Sequence, residues 1–374
     1  MVESGMRYGM IILSTSGAKT KMNKIRRKNL VNQLNLQEKR KVTIYLGSKC
    51  NLSCAYCHRE PSEDESSISP EFLKELQENP PMEVKFMGGE PLLYMTEIKK
   101  VVETLPNARF SISTNSMGIE KHLDYFRKHD FLICISYDGA EKDLRGFDPF
   151  TALFDYPNLA VSTTLYHGNT DLDSILKKFR EKEKIIGRRL SLFPHLIHVT
   201  NEENRKFALT EEDYDSIFSQ YKTCVRRYLS SYLRFGIEDL RYQGIFMMLV
   251  RRLDAHYSYG ETYCSNALLE KRDWKGRRYP CLYIRQDEIG EDWLQKQQAL
   301  IDDLCPGCRN CPVYDMCGSA CIVSKKHSLE CAFYKKLYAW FKQEHKNFLE
   351  EVKNSYEFHL HLYERNPSSG LDPI

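Results

Sequence analysis

The sequence predicts an α/β fold, a parallel sheet covered by helices, followed by a cysteine-rich C-terminal region. Short β-branched or aromatic runs alternate with amphipathic stretches through the N-terminal half. Such alternation is typical of parallel strands joined by crossover helices. Polar and cysteine residues follow several of these strands, which is where parallel α/β folds carry their chemistry.

Six strands are predicted in order along the chain. The first, 42–46, reads Val-Thr-Ile-Tyr-Leu and leads directly into a cysteine loop. Its β-branched and aromatic composition favours a strand. The other five predicted strands span 82–87, 109–114, 131–136, 159–166 and 190–199.

Helical patterns fill the gaps between these strands. Ser69 and Pro70 give the first helix a side-chain cap and a proline at its first position. Apolar spacing then predicts helices at 96–105, 119–128 and 171–180, a helical bridge at 214–229 and 237–253, and a long charged helix at 334–356.

Three thiols lie in one short loop at spacing C-x3-C-x2-C: Cys50, Cys54 and Cys57. Three thiolates can hold three irons of a four-iron, four-sulfur cube, which is normally held by four. The fourth iron would be left open for chemistry. A zinc site is the alternative, although zinc ribbons favour two separated C-x2-C pairs.

The residues Gly88-Gly89-Glu90-Pro91 follow the second predicted strand, one strand–helix unit after the cysteine loop. Two glycines let a backbone approach a ligand closely. A carboxylate beside them suits an ammonium partner. An ordinary strand-to-helix turn is the structural alternative.

The cysteine loop and this glycine motif together resemble the radical S-adenosylmethionine (SAM) superfamily. The resemblance implies an incomplete (βα)6 TIM-type barrel and a SAM molecule that chelates the open iron through its amino and carboxylate groups. It also implies which residues contact SAM: Gly88, Gly89, Glu90 and Pro91 near the amino group, Tyr56 near the adenine, Thr114 and Asn115 as the TN segment, and Ser136 near the ribose.

Seven cysteines near the C-terminus resemble the SPASM domain, an extension that holds two auxiliary four-iron clusters. They follow the order C-x11-G-x4-C, C-x2-C-x5-C-x3-C and a closing cysteine. The resemblance implies Cys308, Cys311, Cys317 and Cys331 as ligands of a distal cluster, and Cys264, Cys281 and Cys321 as ligands of a proximal one. Zinc is the alternative for this segment taken alone.

Cys305 lies outside the seven-cysteine pattern, three residues before Cys308. Two assignments are open. In one, which we favour, Cys305 completes the proximal cluster, which then only passes electrons. In the other, an iron of that cluster stays open to a substrate thiolate.

The patterns divide the chain into five segments. These are a basic extension at 1–40, the partial barrel at 41–205, the helical bridge at 206–260, the SPASM segment at 261–333, and a C-terminal helix and tail at 334–374. The chain has 374 residues and a formal net charge of +3. It contains no long apolar run, no signal peptide and no nucleic-acid-binding motif, so we expect a cytoplasmic protein without a membrane or nucleic-acid partner.

The resemblance implies an enzyme with SAM and three [4Fe-4S] clusters as cofactors and flavodoxin or ferredoxin as electron donor. SAM would be cleaved reductively to methionine and a 5′-deoxyadenosyl radical, which abstracts hydrogen from a peptide. We expect an oxidised ribosomal peptide carrying a thioether or carbon–carbon cross-link.

Three alternatives are weighed against this expectation. Anaerobic sulfatase-maturating enzymes make formylglycine and carry an aspartate directly after the cysteine that Cys281 matches, whereas Leu282 stands here and Asp287 is the next acid. A metabolite dehydrogenase and a non-catalytic metal scaffold are the others. The open cluster beside the glycine motif argues against the scaffold.

Overall fold

In the computed structural model, the described residues are 40–57, 67–139, 148, 150, 152–153, 155–199, 202–235, 239–262, 269–278, 293–319 and 327–365. They fall into two compact units. The first unit covers 39–341, and the second comprises 1–38 with 342–374. The second unit is described only through 342–365, which belong to one long helix.

The first unit is built on a parallel sheet, which confirms the predicted α/β fold class. Its described strands are β1 (Lys41–Tyr45), β2 (Glu83–Met87), β3 (Arg109–Thr114), β4 (Leu132–Ser136), β5 (Leu159–Leu165), β6 (Ser191–Leu196) and β7 (Leu269–Asp273). Their order across the sheet is β6-β5-β4-β3-β2-β1-β7, and every described pair is parallel.

Helices connect the strands and extend beyond them. The described helices are α1 (Pro70–Glu78), α2 (Met95–Thr104), α3 (Leu123–Lys128), α4 (Leu172–Ile186), α5 (Glu211–Phe235), α6 (Leu240–Ala255), α7 (Trp293–Leu304), α8 (Tyr314–Cys317) and α9 (His327–Arg365). The predicted cap of α1 is present, because the Ser69 hydroxyl accepts a hydrogen bond from Phe72 N. No helix among the described residues is long and apolar enough to cross a membrane.

One face of the sheet carries the hydrophobic core. Alternate residues of the strands, such as Val84, Phe86, Ile112 and Ile135, are fully buried on this face. The rings of Phe86 and Phe110 are stacked with centroids 6.2 Å apart. Each fully buried side chain of this kind contributes about 1.5–3 kcal/mol of transfer free energy, which holds the helices against the sheet.

The opposite face, which we call the polar face, carries the intervening residues of β2 to β6. Most of them are polar and half-buried: Lys85, Ser113, Cys134, Ser136, Ser162 and Thr164. The sequence places Cys134 in an apolar run and predicts a core residue, but its thiol lies on the polar face within hydrogen-bonding reach of Ser113. Period-two alternation explains the difference, since the apolar neighbours of Cys134 face the other way.

The seventh strand was not predicted. Its sequence, Leu-Glu-Lys-Arg-Asp, has almost no apolar residue, so no strand pattern is visible. It pairs with β1 and protects what would otherwise be an open strand edge. Ion pairs hold this strand in place: Arg272 contacts Glu75 at 2.7 Å, and Arg40 contacts Glu270 at 2.8 Å.

The helical bridge forms α5 and α6, close to the predicted positions. The C-terminal helix α9 is longer than predicted, because it begins at His327 rather than near 334 and includes Cys331. The N-terminal basic extension, apart from residue 40, and the C-terminal tail beyond 365 lie outside the described residues. The domain boundaries stay a prediction.

Candidate functional site

The predicted site residues follow neighbouring strands. The cysteine loop follows β1, the glycine motif follows β2, and Thr114 and Asn115 stand at the end of β3. Ser136 ends β4, where it pairs with Ser162 of β5. Because all these strands are parallel, their carboxyl ends meet at one edge of the sheet.

The glycine motif runs directly beside the cysteine loop. Leu46 N donates to Met87 O at 2.9 Å, Gly89 N donates to Gly47 O at 2.8 Å, and Glu90 N donates to Lys49 O at 2.8 Å. These bonds continue the β1–β2 ladder past the ends of both strands. The loop that carries the three thiols is therefore held by the backbone of the glycine motif.

The two glycines are needed for this close approach. A Cβ at Gly89 would lie 2.3 Å from Ser48 O and 2.4 Å from Lys49 O, and a Cβ at Gly88 would lie 2.8 Å from Gly47 O. No side chain fits at such distances. The sequence attributes the glycines to close approach of a ligand, whereas in the structure the approaching group is the backbone of the cysteine loop itself.

Glu90 joins the ends of β2 and β3. Its carboxylate is fully buried and accepts hydrogen bonds from Leu92 N at 3.0 Å, Thr114 Oγ1 at 2.6 Å and Asn115 N at 2.7 Å. An ionised carboxylate has about four acceptor positions, and at least three of them are used within the protein. Its contact with the SAM ammonium stays a prediction. Pro91 is buried and opens the short 3₁₀ turn that Glu90 caps.

Asn115 connects this carboxylate to the cysteine loop. Its backbone donates to Glu90, and its side-chain amide donates to Asn51 Oδ1 at 2.8 Å and lies 3.9 Å from Cys50 Sγ. Its own Oδ1 accepts from Met117 N at 2.8 Å, which fixes the orientation of the amide. Asn115 thus positions the loop through its side chain.

The three loop thiols differ in exposure. Cys50 and Cys54 are half-buried, and Cys57 is exposed, with its N–H bonded to Cys54 O at 2.9 Å. Burial raises the pKa of Cys50, and the nearby charges of Glu90 and Cys57 raise it further, while the Leu52 N–H opposes them. A thiol in this position would need a bound cation to stay ionised at neutral pH.

The donor set fits an iron–sulfur cluster in kind and number. Soft thiolates are the ligands such clusters take. Among the residues that the structure describes, no three His, Cys, Asp or Glu side chains converge on a single metal ion. A cube places each thiolate on a different iron, so its ligands do not converge on one point.

Tyr56 lies inside the loop and anchors it to β4 and β5. Its hydroxyl donates to the Asp138 carboxylate, and its ring stacks on Tyr166 with centroids 5.1 Å apart. Phe207 meets both rings edge-on. One face of Tyr56 is thus covered by protein. Its proximity to adenine stays a prediction.

No role in the site was predicted for Asp138, which follows the fourth predicted strand, or for Tyr166. Asp138 is buried and also accepts a hydrogen bond from Thr164 N at 3.2 Å, so it links the cysteine loop to β5. Its position directly after a predicted strand, before Gly139, was the available signal. No sequence pattern indicated Tyr166, because its partner Tyr56 is distant along the chain.

The described thiols of the C-terminal region also come together. Cys305 donates a hydrogen bond to Cys308, which lowers the pKa of Cys308 to about 7 and raises that of Cys305. Cys317 and Cys331 lie close enough to Cys305 to raise its pKa further. Cys311 follows one turn later, with its N–H on Cys308 O at 3.1 Å.

Five thiols therefore occupy one region, which we call the distal thiol group: Cys305, Cys308, Cys311, Cys317 and Cys331. A small core of Tyr257, Ile301 and Tyr314 packs around Cys305 and Cys308. Cys305 lies against the predicted distal ligands. The predicted proximal ligands, Cys264, Cys281 and Cys321, lie outside the described residues, so the assignment of Cys305 to them stays a prediction.

Comparison with known proteins shows similarity to one family over part of the chain. Residues 44–151 match the model of the radical SAM superfamily. A probable GTP 3′,8-cyclase of Methanococcus maripaludis is 30% identical over 95 residues, which are 23% of this chain and 32% of that protein. A probable GTP 3′,8-cyclase of Methanococcus vannielii is 29% identical over 280 residues, covering 68% of this chain and 88% of that protein.

Two solved structures share the fold. Native anSMEcpe with bound AdoMet superposes with a TM-score of 0.60 at 17% identity, covering 83% of this chain and 99% of that one. SuiB of Streptococcus suis bound to the precursor peptide SuiA gives a TM-score of 0.51 at 16% identity, covering 84% and 81%. Both likenesses extend beyond residues 44–151.

Proposed function

We propose that this chain, which carries a radical SAM domain at residues 44–151, cleaves SAM reductively and uses the product radical to oxidise a peptide. The substrate would be a ribosomally made peptide, and the product a thioether or a carbon–carbon cross-link. Cys50, Cys54 and Cys57 are the proposed ligands of the SAM-binding cluster.

The single observation that carries this proposal is the joint position of the cysteine loop and the glycine motif. Backbone hydrogen bonds at Gly89 and Glu90 fix the loop, and Asn115 reaches Cys50 and Asn51 from the next strand. The arrangement fixes the loop that carries the three thiols from the ends of two further strands, and Cys57 stays exposed.

A cluster in this loop supplies the electron that cleaves SAM. The chain's own residues do the positioning. Asn115 orients the loop, the Glu90 carboxylate locks the ends of β2 and β3 together, and Tyr56 ties the loop to Asp138. Gly88 and Gly89 stand at the same edge of the sheet, and their backbone would contact the SAM held at the open iron.

The distal thiol group supports an auxiliary cluster in the C-terminal region. Its thiols are half-buried or buried, so a cluster there would be shielded from water. Such a cluster would accept the second electron of an oxidation, which makes the net reaction a two-electron one. The proposed electron donor for SAM cleavage is flavodoxin or ferredoxin.

A peptide substrate is supported by the polar face. Side chains of β2, β4, β5 and β6 on that face stay half-exposed, so the sheet leaves an accessible surface behind the strand ends. SuiB, whose fold this chain shares, has been solved with a precursor peptide. Formylglycine formation on a sulfatase is a second candidate, favoured by the likeness to anSMEcpe, although Leu282 replaces the aspartate expected after Cys281.

The test is anaerobic reconstitution with iron and sulfide, followed by incubation with SAM and dithionite. The proposal predicts 5′-deoxyadenosine. Peptides encoded by neighbouring short open reading frames should lose the mass of two hydrogen atoms. Formylglycine in a sulfatase-derived peptide would support the second candidate. Absence of 5′-deoxyadenosine from iron-loaded protein would favour the metal scaffold.

A further inference from the structure

Lys85 lies in the middle of β2 on the polar face, within the sheet rather than at its edge. It pairs with Thr43 of β1 on one side and Ser111 of β3 on the other. The strand reads Glu-Val-Lys-Phe-Met, so a charge stands between two buried apolar residues that face the core. A lysine at such a position needs either a carboxylate partner or access to water.

No carboxylate among the described residues pairs with the Lys85 ammonium. Glu83 lies two residues earlier on the same face, but its carboxylate is 3.2 Å from Lys41 and 3.6 Å from Arg109. Asp273, on the same face of β7, pairs with Arg277 at 2.9 Å. The acids of this face are therefore used by other cations.

Lys85 acts electrostatically across the sheet. Strands β2 and β6 are separated by three strands, which in a flat sheet would put them about 19 Å apart. Yet the charge of Lys85 contributes to lowering the pKa of His195 on β6. Contacts of Tyr56, in the loop after β1, with Asp138 after β4 and Tyr166 after β5 also bring distant strand ends together, so the sheet curves with its polar face concave.

His195 shows that the concave face is open. The side chain is exposed to water, yet surrounding protein lowers its pKa to about 4, with smaller contributions from Lys85, His198 and Arg252. Both properties hold together for a side chain that lines an open cleft. The Glu330 carboxylate lies 3.9 Å from His198 Nδ1.

The polar face carries hydroxyl groups as well as the Lys85 ammonium. Hydroxyl groups of Ser113, Ser136, Ser162 and Thr164 lie on the same half-exposed face and can donate hydrogen bonds. A cation with hydroxyl donors suits a carboxylate. We infer that Lys85 binds a carboxylate of the peptide substrate, an aspartate or glutamate side chain, within the cleft of the polar face. This inference rests on the proposed function.

SAM also carries a carboxylate, but the position of Lys85 distinguishes a peptide carboxylate from that of SAM. The proposed SAM contacts begin at Gly88, beyond the end of β2, whereas Lys85 lies three residues earlier, about 10 Å along the strand. Lys85 thus lies deeper than the cysteine loop. A side chain that reaches it must enter the cleft past the strand ends.

The test is selection from a randomised library of short peptides, displayed on their encoding mRNA, with the reconstituted protein and SAM present. Wild type should enrich Asp or Glu at one position by about tenfold, the effect of one charge-assisted hydrogen bond. Lys85→Met should lose this enrichment, and Lys85→Arg should keep it. Lys100→Met, which removes a lysine paired with Glu97 on α2, is the matched control and should also keep it.

Three results would overturn the inference: no acidic enrichment by wild type, equal enrichment by Lys85→Met, or a loss of SAM affinity as the only effect of that variant. GTP binding that depends on Lys85, without acidic enrichment, would identify a nucleotide phosphate instead. Formation of 5′-deoxyadenosine is measured in the same preparations. Its retention in Lys85→Met keeps failure of this inference distinct from failure of the proposed function.

Discussion

The Thr114 hydroxyl donates a 2.6 Å hydrogen bond to the buried carboxylate of Glu90. The same carboxylate accepts the N–H of Asn115, whose side chain reaches the cysteine loop. The strand ends of β2 and β3 and the loop after β1 are therefore one hydrogen-bonded unit. A substitution at Glu90 should therefore alter the position of the cysteine loop, although the two are separated by many residues in the sequence.

Glu90→Gln should lower the free energy of unfolding by about 2 kcal/mol, because an amide cannot accept at both of its terminal atoms. One of the N–H or O–H donors now bonded to Glu90 would face the new NH₂ group. Chemical denaturation of the reconstituted protein measures this. Glu103→Gln, at an exposed position of α2, is the control and should change stability by less than about 0.5 kcal/mol.

Gly89→Ala should destabilise the protein by roughly 3 kcal/mol, because the added methyl group would overlap the Ser48 and Lys49 carbonyl oxygens. The loop must shift to make room, so iron incorporation should fall as well. Gly307→Ala is the matched control for stability, since a Cβ there meets nothing within 4 Å. If Gly89→Ala retains wild-type stability and iron, the loop is not held by the glycine motif.

Gly89 belongs to a motif that the sequence predicts, whereas Glu270 belongs to a strand that it does not. The glycine motif was found from the chain alone, because its residue types and its distance from the cysteines are local features. The physical reason for the motif could not be predicted from the chain, because the atoms that crowd Gly89 belong to the cysteine loop after β1. The strand of Glu270 was missed, because it is held by pairing and charge rather than by apolar alternation.

The positions of Lys85 and Cys134 on the polar face are also only partly predictable from the sequence. Alternation in β2 and β4 indicates that both side chains share a face, but not that the sheet curves to bring distant strands together. The curvature is a property of the whole sheet. Aromatic contacts such as Tyr56 with Tyr166 are likewise set by tertiary packing, so no local pattern predicts them.

The lowered pKa of the Glu270 carboxyl predicts that the stability of the protein depends on pH. Burial raises its pKa, but the Arg40 hydrogen bond and the charges of Arg272, Arg40 and Arg278 outweigh burial and hold the pKa below its usual 4.5. The stabilisation is therefore present above pH 4.5 and is lost as the pH falls through the lowered value. Glu270→Gln should be less stable than wild type at neutral pH, and the difference in unfolding free energy should shrink in acid. A difference independent of pH would contradict the role of this charge.

The distal thiol group contains one thiol more than a cube requires. Cys305→Ala should therefore leave the distal cube intact, because four thiols remain beside it, and should change only the signal of the proximal cluster, which we expect Cys305 to complete. A variant with Cys308, Cys311 and Cys317 all changed to alanine should lose about four irons per chain, one cube's worth, because too few thiols remain to hold it. Iron analysis and electron paramagnetic resonance measure both. An unchanged proximal-cluster signal in Cys305→Ala would rule out Cys305 as a ligand of that cluster.

The central claim is that Cys50, Cys54 and Cys57 hold the cluster that cleaves SAM. The most direct measurement is 5′-deoxyadenosine formed under dithionite by wild type and by the variant with all three cysteines changed to alanine. We predict product from wild type and none from the variant, which should keep the iron of its C-terminal region and lose about one cube's worth. Formation of 5′-deoxyadenosine by the triple variant at the wild-type rate would contradict the account.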